Sequence, residues 1–264
     1  NAYGASDTEN DNLAIGHSAM GTDTAGGNHN LAIGNYTLDA LTSGDSNIAI
    51  GNSAMGAATT AGSNTAIGYQ ALDANTTGNI NVAIGYDALG SLTTADANVA
   101  VGREALAAVT TGTRNTGLGT SAGMTATDVN DNTSLGYAAL KDNAAASNTA
   151  VGSYALTENT TGADNTAVGH TSLYTNTTGA GNTAIGRESL YYNTTGARNV
   201  AVGRYALNAN TTASDNVAVG FTAGGQITTG TRNIAIGNYA YDASDTENDN
   251  IAIGHNALSA NTAG

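Results

Sequence analysis

The sequence predicts an all-β fold, a parallel β-roll or β-solenoid of about fifteen coils of 17 residues each. Three observations carry that expectation. The motif Asn-x-Ala-(Ile/Val)-Gly opens at Asn12, Asn30, Asn47, Asn64, Asn81, Asn98, Asn115, Asn132, Asn148, Asn165, Asn182, Asn199, Asn216, Asn233 and Asn250. Twelve of the fourteen intervals are 17 residues, one is 18 and one is 16, so each unit repeats one shape and stacks on its neighbour. Finally, Gly and the recurrent Asn-Thr-Thr-Gly, as at Asn75 to Gly78 and Asn193 to Gly196, would break any helix after two turns.

Within a coil the elements follow in order from the opening Asn, taken as position one. Positions two to four form a short run bounded by Asn and Gly and rich in β-branched residues, which reads as a strand. Position three is Ala except at Gly117 and Ser134, position four is always Ile, Val or Leu, and position five is always Gly. Position nine is usually Leu or Met. Because side chains alternate across a strand, positions two and four share one face and position three takes the other.

That alternation assigns Ile15, Ile33, Ile67, Ile84, Val151, Val168 and Ile185 to the coil interior. Leu72, Leu89, Leu156 and Leu190 of the return limb join them there. The opposite, small-residue face, with Ala14, Ala66, Ala167 and Ala201 flanked by Gly, is then the expected face for close packing against identical chains. Position twelve alternates between Asn and apolar residues such as Leu41, Leu92, Val109 and Ile227, which suits a corner facing partly inward. Local bulges are expected where Gly123 and Gly224 replace the position-nine residue, and near Ala144 to Ala146, where one coil is a residue short.

Composition narrows the function. The formal net charge of −14, with seven Lys and Arg against 21 Asp and Glu, opposes binding to nucleic acid or an anionic membrane surface. No stretch approaches the ~20 apolar residues of a membrane span. The absence of Cys removes a disulfide framework and the common zinc sites. The chain starts and stops in mid-repeat, and the tract from Ala5 to His17 returns almost unchanged from Ala243 to His255. Residues 1–264 are therefore expected to be one continuous array cut from a longer polypeptide.

Candidate chemistry is sparse. His17, His170 and His255 occupy one column but lie many coils apart, too far to share a metal or act as a dyad, and read as surface residues. Asp7, Glu9 and Asp11, and again Asp245, Glu247 and Asp249, offer oxygen ligands of the kind Ca²⁺ takes. They lack the loop patterns of known calcium sites, so solvated acidic turns are the stronger reading and no cofactor is expected. No nucleophile–base pattern or phosphate loop is present, and the chain is read as non-enzymatic. Tyr191 and Tyr192, with Tyr174, are the best candidates for a ligand-contacting surface, because an aromatic ring on a polar surface can stack on a sugar or anchor a partner. The Asn-Thr-Thr triplets match a glycosylation acceptor, a pattern the repeat generates by itself. Their paired Thr also raises ice binding as a minor alternative.

The motif Asn-Thr-Ala-(Ile/Val)-Gly, as at Asn64 to Gly68 and Asn165 to Gly169, resembles the head repeats of trimeric autotransporter adhesins and related repeats of phage and bacterial fibres. The resemblance covers essentially the whole chain. It implies a left-handed parallel β-roll, side-by-side association of three chains, and a location on a cell surface or a virion fibre. The 17-residue coil is longer than the usual repeat of those heads, and their stalk and anchor regions have no counterpart here. Two functions compete: the structural shaft of a fibre or self-assembling filament, and an adhesin head that holds glycan or matrix.

Overall fold

In the computed structural model, residues 11–22, 27–243 and 246–259 are described, and the chain divides into two compact units, Asn1–Asn132 and Thr133–Gly264. The first unit contains β1 (Leu13–Ile15), β2 (Leu31–Ile33), β3 (Ile48–Ile50), β4 (Thr65–Ile67), β5 (Val82–Ile84), β6 (Val99–Val101) and β7 (Thr116–Leu118). The second contains β8 (Thr133–Leu135), β9 (Thr149–Val151), β10 (Thr166–Val168), β11 (Thr183–Ile185), β12 (Val200–Val202), β13 (Val217–Val219), β14 (Ile234–Ile236) and β15 (Ile251–Ile253). In each unit, strands pair in parallel with the next in sequence, like residue on like residue, as Thr65↔Val82, Ala66↔Ala83 and Ile67↔Ile84. Each unit is a β-solenoid, and no helix occurs among the described residues.

The coil is tight because its turns use the left-handed backbone region repeatedly. In most coils three non-glycine residues, at positions seven, nine and seventeen, have positive φ: Gln70 at 54°, Leu72 at 53° and Ile80 at 59° in one coil, Asp87, Leu89 and Ala97 in the next. A bulky Leu there costs roughly 1–2 kcal/mol relative to its ordinary region, a strain borne only because the stacked neighbours fix it. Two successive reversals follow each strand, closed by Ala71 N–H to the Gly68 carbonyl at 3.5 Å and Asn75 N–H to the Leu72 carbonyl at 3.2 Å. The return limb then bonds coil to coil, as Thr76 N–H to the Thr93 carbonyl at 2.8 Å.

Gly at position five is obligatory for two reasons. Gly85 has φ +136°, and a Cβ there would lie 2.5 Å from the Gly102 carbonyl oxygen of the next coil.

Burial reverses the assignment of the two strand faces. Ala at position three is the inward residue: Ala66, Ala167 and Ala201 are fully buried, and Ala14 is half-buried at the edge of the first core. The residues assigned to the interior at position four face outward instead. Ile15, Ile84 and Ile185 are exposed, and Ile33, Ile67, Val151 and Val168 are half-buried. Space decides this. Position nine sends its side chain across the narrow coil, and Leu72, Leu89, Leu156 and Leu190 are indeed fully buried. At Gly117, in position three, even a methyl group would stand 2.8 Å from Leu106 Cγ. An Ile in that column has no room, so the alternation runs with Ala inside.

Buried Asn completes the interior. The position-one Asn forms a ladder through each unit: Asn81 Nδ2 donates to the Ala95 carbonyl at 2.8 Å, while its Oδ1 accepts the Asn98 backbone N–H at 2.9 Å. The same pair of bonds recurs at Asn182, to the Gly196 carbonyl and from the Asn199 N–H. Each amide thereby satisfies a carbonyl of its own coil and an N–H of the next, the condition for burying polar backbone. Position twelve is fully interior rather than partly inward. Asn75, Asn159, Asn176, Asn193 and Asn210 are as buried as Leu41 and Leu92, and Asn176 and Asn193 donate to the preceding Asn at 2.7 Å.

The irregular coils keep the same path. Gly123 and Gly224 have φ 60°, the conformation that Leu adopts in the same column, so these substitutions remove strain without a bulge. The short coil absorbs its missing residue at the corner after Asn143, whose Nδ2 reaches the Ala145 carbonyl at 2.7 Å. Strand pairing resumes as Thr133↔Thr149.

Candidate functional site

Two surfaces emerge from the coil geometry: the outward strand face and the turn that follows it. On the strand face, positions two and four present two aliphatic or Thr columns in every coil, without a charged residue among them. Away from the coil ends, the position-four side chains range from half-buried, as in Ile67 and Val168, to about two-fifths exposed, as in Leu118 at 39%, Ile185 at 40% and Ile236 at 39%. In each unit the strip is roughly 30 Å long and two side chains wide, because strands stack at ~4.8 Å. That reaches the few hundred Å² at which an exposed apolar patch marks an interaction surface.

The turn carries the aromatic residues. Tyr69 and Tyr86 stack with centroids 5.5 Å apart and planes 7° apart, because the repeat places them one coil apart in one column. In the second unit Tyr137, Tyr154, Tyr174, Tyr191 and Tyr192 form an unbroken run with centroid separations of 5.1, 6.4, 5.4 and 4.7 Å. Tyr174 and Tyr191 are parallel, and Tyr192 stands at 83° to Tyr191. Burial raises the Tyr191 hydroxyl above the usual phenol value, with the neighbouring Tyr174, Tyr192, Glu188 and Glu158 adding to the shift.

Beside this corner lies a cavity of about 300 Å³ lined by His170, Thr171, Glu188, Tyr191, Tyr192 and Asn208. It brings Tyr191 and Tyr192 together with three polar residues from adjacent coils, whereas Tyr174 lies behind Tyr191. The Glu188 carboxylate accepts from Arg187 Nε at 2.9 Å, and Asn208 Nδ2 donates to the Glu188 carbonyl at 2.9 Å. A second hollow of about 270 Å³ in the first unit includes Asp87 and Glu104. There the Asp87 carboxyl is pushed up by burial first and by Glu104 and Asp73 after it, and Arg103 pairs with Glu104 at 2.8 Å.

The remaining sequence candidates separate. Asp7, Glu9 and Asp245 lie outside the described residues. Asp249 is bound in bidentate fashion by Arg232, at 2.6 and 2.8 Å, and Asp11 stands 3.7 Å from His29. Among the described residues no group of three or more His, Cys, Asp or Glu is placed to hold a metal ion. His17 and His255 contact the rings of Tyr36 and Tyr239, at 5.3 and 6.1 Å. The Asn of each Asn-Thr-Thr triplet is buried, and the first Thr hydroxyl donates to the next coil, as from Thr76 Oγ1 to the Thr93 carbonyl at 3.0 Å. These columns therefore do not present the Asn as a glycan acceptor, whereas the second Thr of the triplets, as Thr77, Thr178 and Thr195, is exposed.

Sequence reasoning missed three features. Position seventeen carries an alternating column, Arg198, Asp215, Arg232 and Asp249, with Arg198 Nε to Asp215 at 2.7 Å. The Arg198 guanidinium, and Arg232 more weakly, hold the Asp215 carboxyl below the usual carboxylate range; the 17-residue spacing of opposite charges was the available signal. Tyr241 stands in the position-nine column as a buried core residue whose hydroxyl accepts from Asn250 Nδ2 at 2.8 Å. The third is the aliphatic strip itself, hidden by the inverted face assignment. Comparison with protein-family models, with curated proteins and with solved structures returned no match.

Proposed function

We propose that this chain is a non-enzymatic structural segment of an extracellular fibre or filament, one that assembles side by side with copies of itself through the outward strand face. The observation that carries the reading is the uncharged strip of positions two and four, repeated at every coil. An identical chain is the natural occupant, because only a surface with the same coil spacing can match the strip strand for strand. Covering a half-exposed Ile or Val at each coil contributes a fraction of the ~1.5–3 kcal/mol of full burial, multiplied along the strip. Three chains around one axis would follow the adhesin-head resemblance. The Ala columns have no part in this contact, since the coil itself buries them.

Sedimentation equilibrium tests the proposal. The unmodified chain is expected to assemble, and Ile67→Glu with Val168→Glu to yield a folded monomer with an unchanged β-type circular dichroism spectrum. A monomeric unmodified chain, or assembly unaffected by the double substitution, overturns it. Ala66→Arg would act differently, by unfolding coils rather than separating chains, because its side chain points into the core.

A further inference from the structure

The cavity at the Tyr191–Tyr192 corner has the composition of a ligand site, and it lies on the turn, away from the strand face of the assembly reading. We propose that it binds a neutral pyranose ring, as a terminal sugar or one unit of an oligosaccharide. Its volume of about 300 Å³ stands at the small end of ligand sites and suits one hexose-sized ring.

The walls supply what such a ring needs. Tyr192 is 52% exposed and stands nearly perpendicular to Tyr191, which is backed by Tyr174. The corner is therefore a rigid pair of aromatic surfaces for the C–H face of a sugar, ordered before the ligand arrives. Around it, Glu188 accepts hydrogen bonds, and the Asn208 amide oxygen accepts while its Nδ2 is held by the Glu188 carbonyl. The His170 ring can donate or accept, and the Thr171 hydroxyl, which donates to the His170 carbonyl at 2.8 Å, accepts. Arg187 neutralises Glu188, leaving a polar site without a free positive charge directed inward. That arrangement disfavours phosphate, sulfate or carboxylate ligands on a chain of net charge −14 and favours an uncharged polyol. The other stacked pair, Tyr69 and Tyr86, has the aromatic surface but lines neither of the two hollows, which makes it an internal control.

The test is amide and aromatic NMR of the full chain, titrated with neutral hexoses, N-acetylhexosamines and their trisaccharides, and separately with tetramethylammonium and inorganic sulfate. Weak binding is expected, with a Kd of about 1 mM, and shifts confined to His170, Thr171, Glu188, Tyr191, Tyr192 and Asn208. Tyr192→Ala should weaken it about tenfold, as loss of one aromatic contact predicts. Tyr192→Phe should retain most of it, and Tyr69→Ala should change nothing. The proposal fails if no sugar shifts these residues, if shifts fall equally on Tyr69 and Tyr86, or if tetramethylammonium or sulfate binds there in preference to every sugar. Tyr192 is exposed, so its variants are expected to fold as the parent does, and an unchanged dichroism spectrum checks this.

Discussion

Replacing Asn81 isolates the buried amide ladder as the device that holds coil to coil. In Asn81→Ala the Ala95 carbonyl and the Asn98 backbone N–H, now bonded at 2.8 and 2.9 Å, are left inside the coil without partners. Each such orphan costs ~1–3 kcal/mol, so the substitution should destabilise the chain by about 4 kcal/mol and lower Tm by roughly 8–16 °C at this chain length. Asn81→Leu should be no better, because filling the space leaves both groups unsatisfied. Asn81→Asp separates polar satisfaction from packing. As a buried carboxylate facing the Ala95 carbonyl its folded pKa would rise above the ~3.9 of a free Asp. As the neutral acid it can accept from Asn98 and donate to Ala95. Its deficit should therefore be large at neutral pH and shrink as pH falls through the raised folded pKa, which neither Ala nor Leu can reproduce. Thermal and denaturant unfolding of the variants across pH, together with hydrogen exchange of the Asn98 amide, make the assay. If Asn81→Leu matches the unmodified chain, or if Asn81→Asp shows the same deficit at all pH values, the ladder is not what stabilises the stack.

Gly85→Ala should cost more than 4 kcal/mol or prevent folding, since it meets both a φ of +136° and the Gly102 carbonyl oxygen; a soluble variant of unchanged Tm would refute the close-approach argument. Leu72→Gly should be at least as stable as Leu72→Ala, the reverse of the usual order, because the relief of about 1–2 kcal/mol at φ 53° offsets the one further buried carbon that Gly loses; denaturant midpoints of the pair decide it. Asp73→Asn should raise Tm at neutral pH. Burial pushes the Asp73 carboxyl above its ordinary value despite the Gly56 N–H, so the folded state loses stability as pH rises past the ordinary carboxylate value. The advantage of Asn should vanish in acid, where both folded and unfolded Asp73 are protonated, and melts at two pH values check it.

The sequence by itself determined the period, the parallel stacking and the position of every strand. A 17-residue repeat of strand, Gly and turn residues admits only like-on-like pairing, as Leu31↔Ile48 and Thr166↔Thr183 record. It also placed Leu72 and Leu156 in the core, since a large apolar residue on a narrow return limb has nowhere else to go. It could not settle which strand face is inside, because alternation states only that Ala66 and Ile67 point opposite ways. Hydrophobicity favoured Ile67, whereas the available volume favoured Ala66. That volume is fixed by the left-handed residues at positions seven, nine and seventeen, which draw the turns in until Leu fills the interior from one side and only Ala fits from the other. A trace of this was legible. Position two varies freely among Thr, Val, Ile and Leu, while position three holds to Ala, Gly or Ser, and a column of fixed small size marks a confined space. The Tyr191–Tyr192 corner was read as a surface from its two rings. Only the stacking of successive coils brought His170, Thr171 and Asn208 to it, because residues distant along the chain become neighbours only when one coil lies on the next.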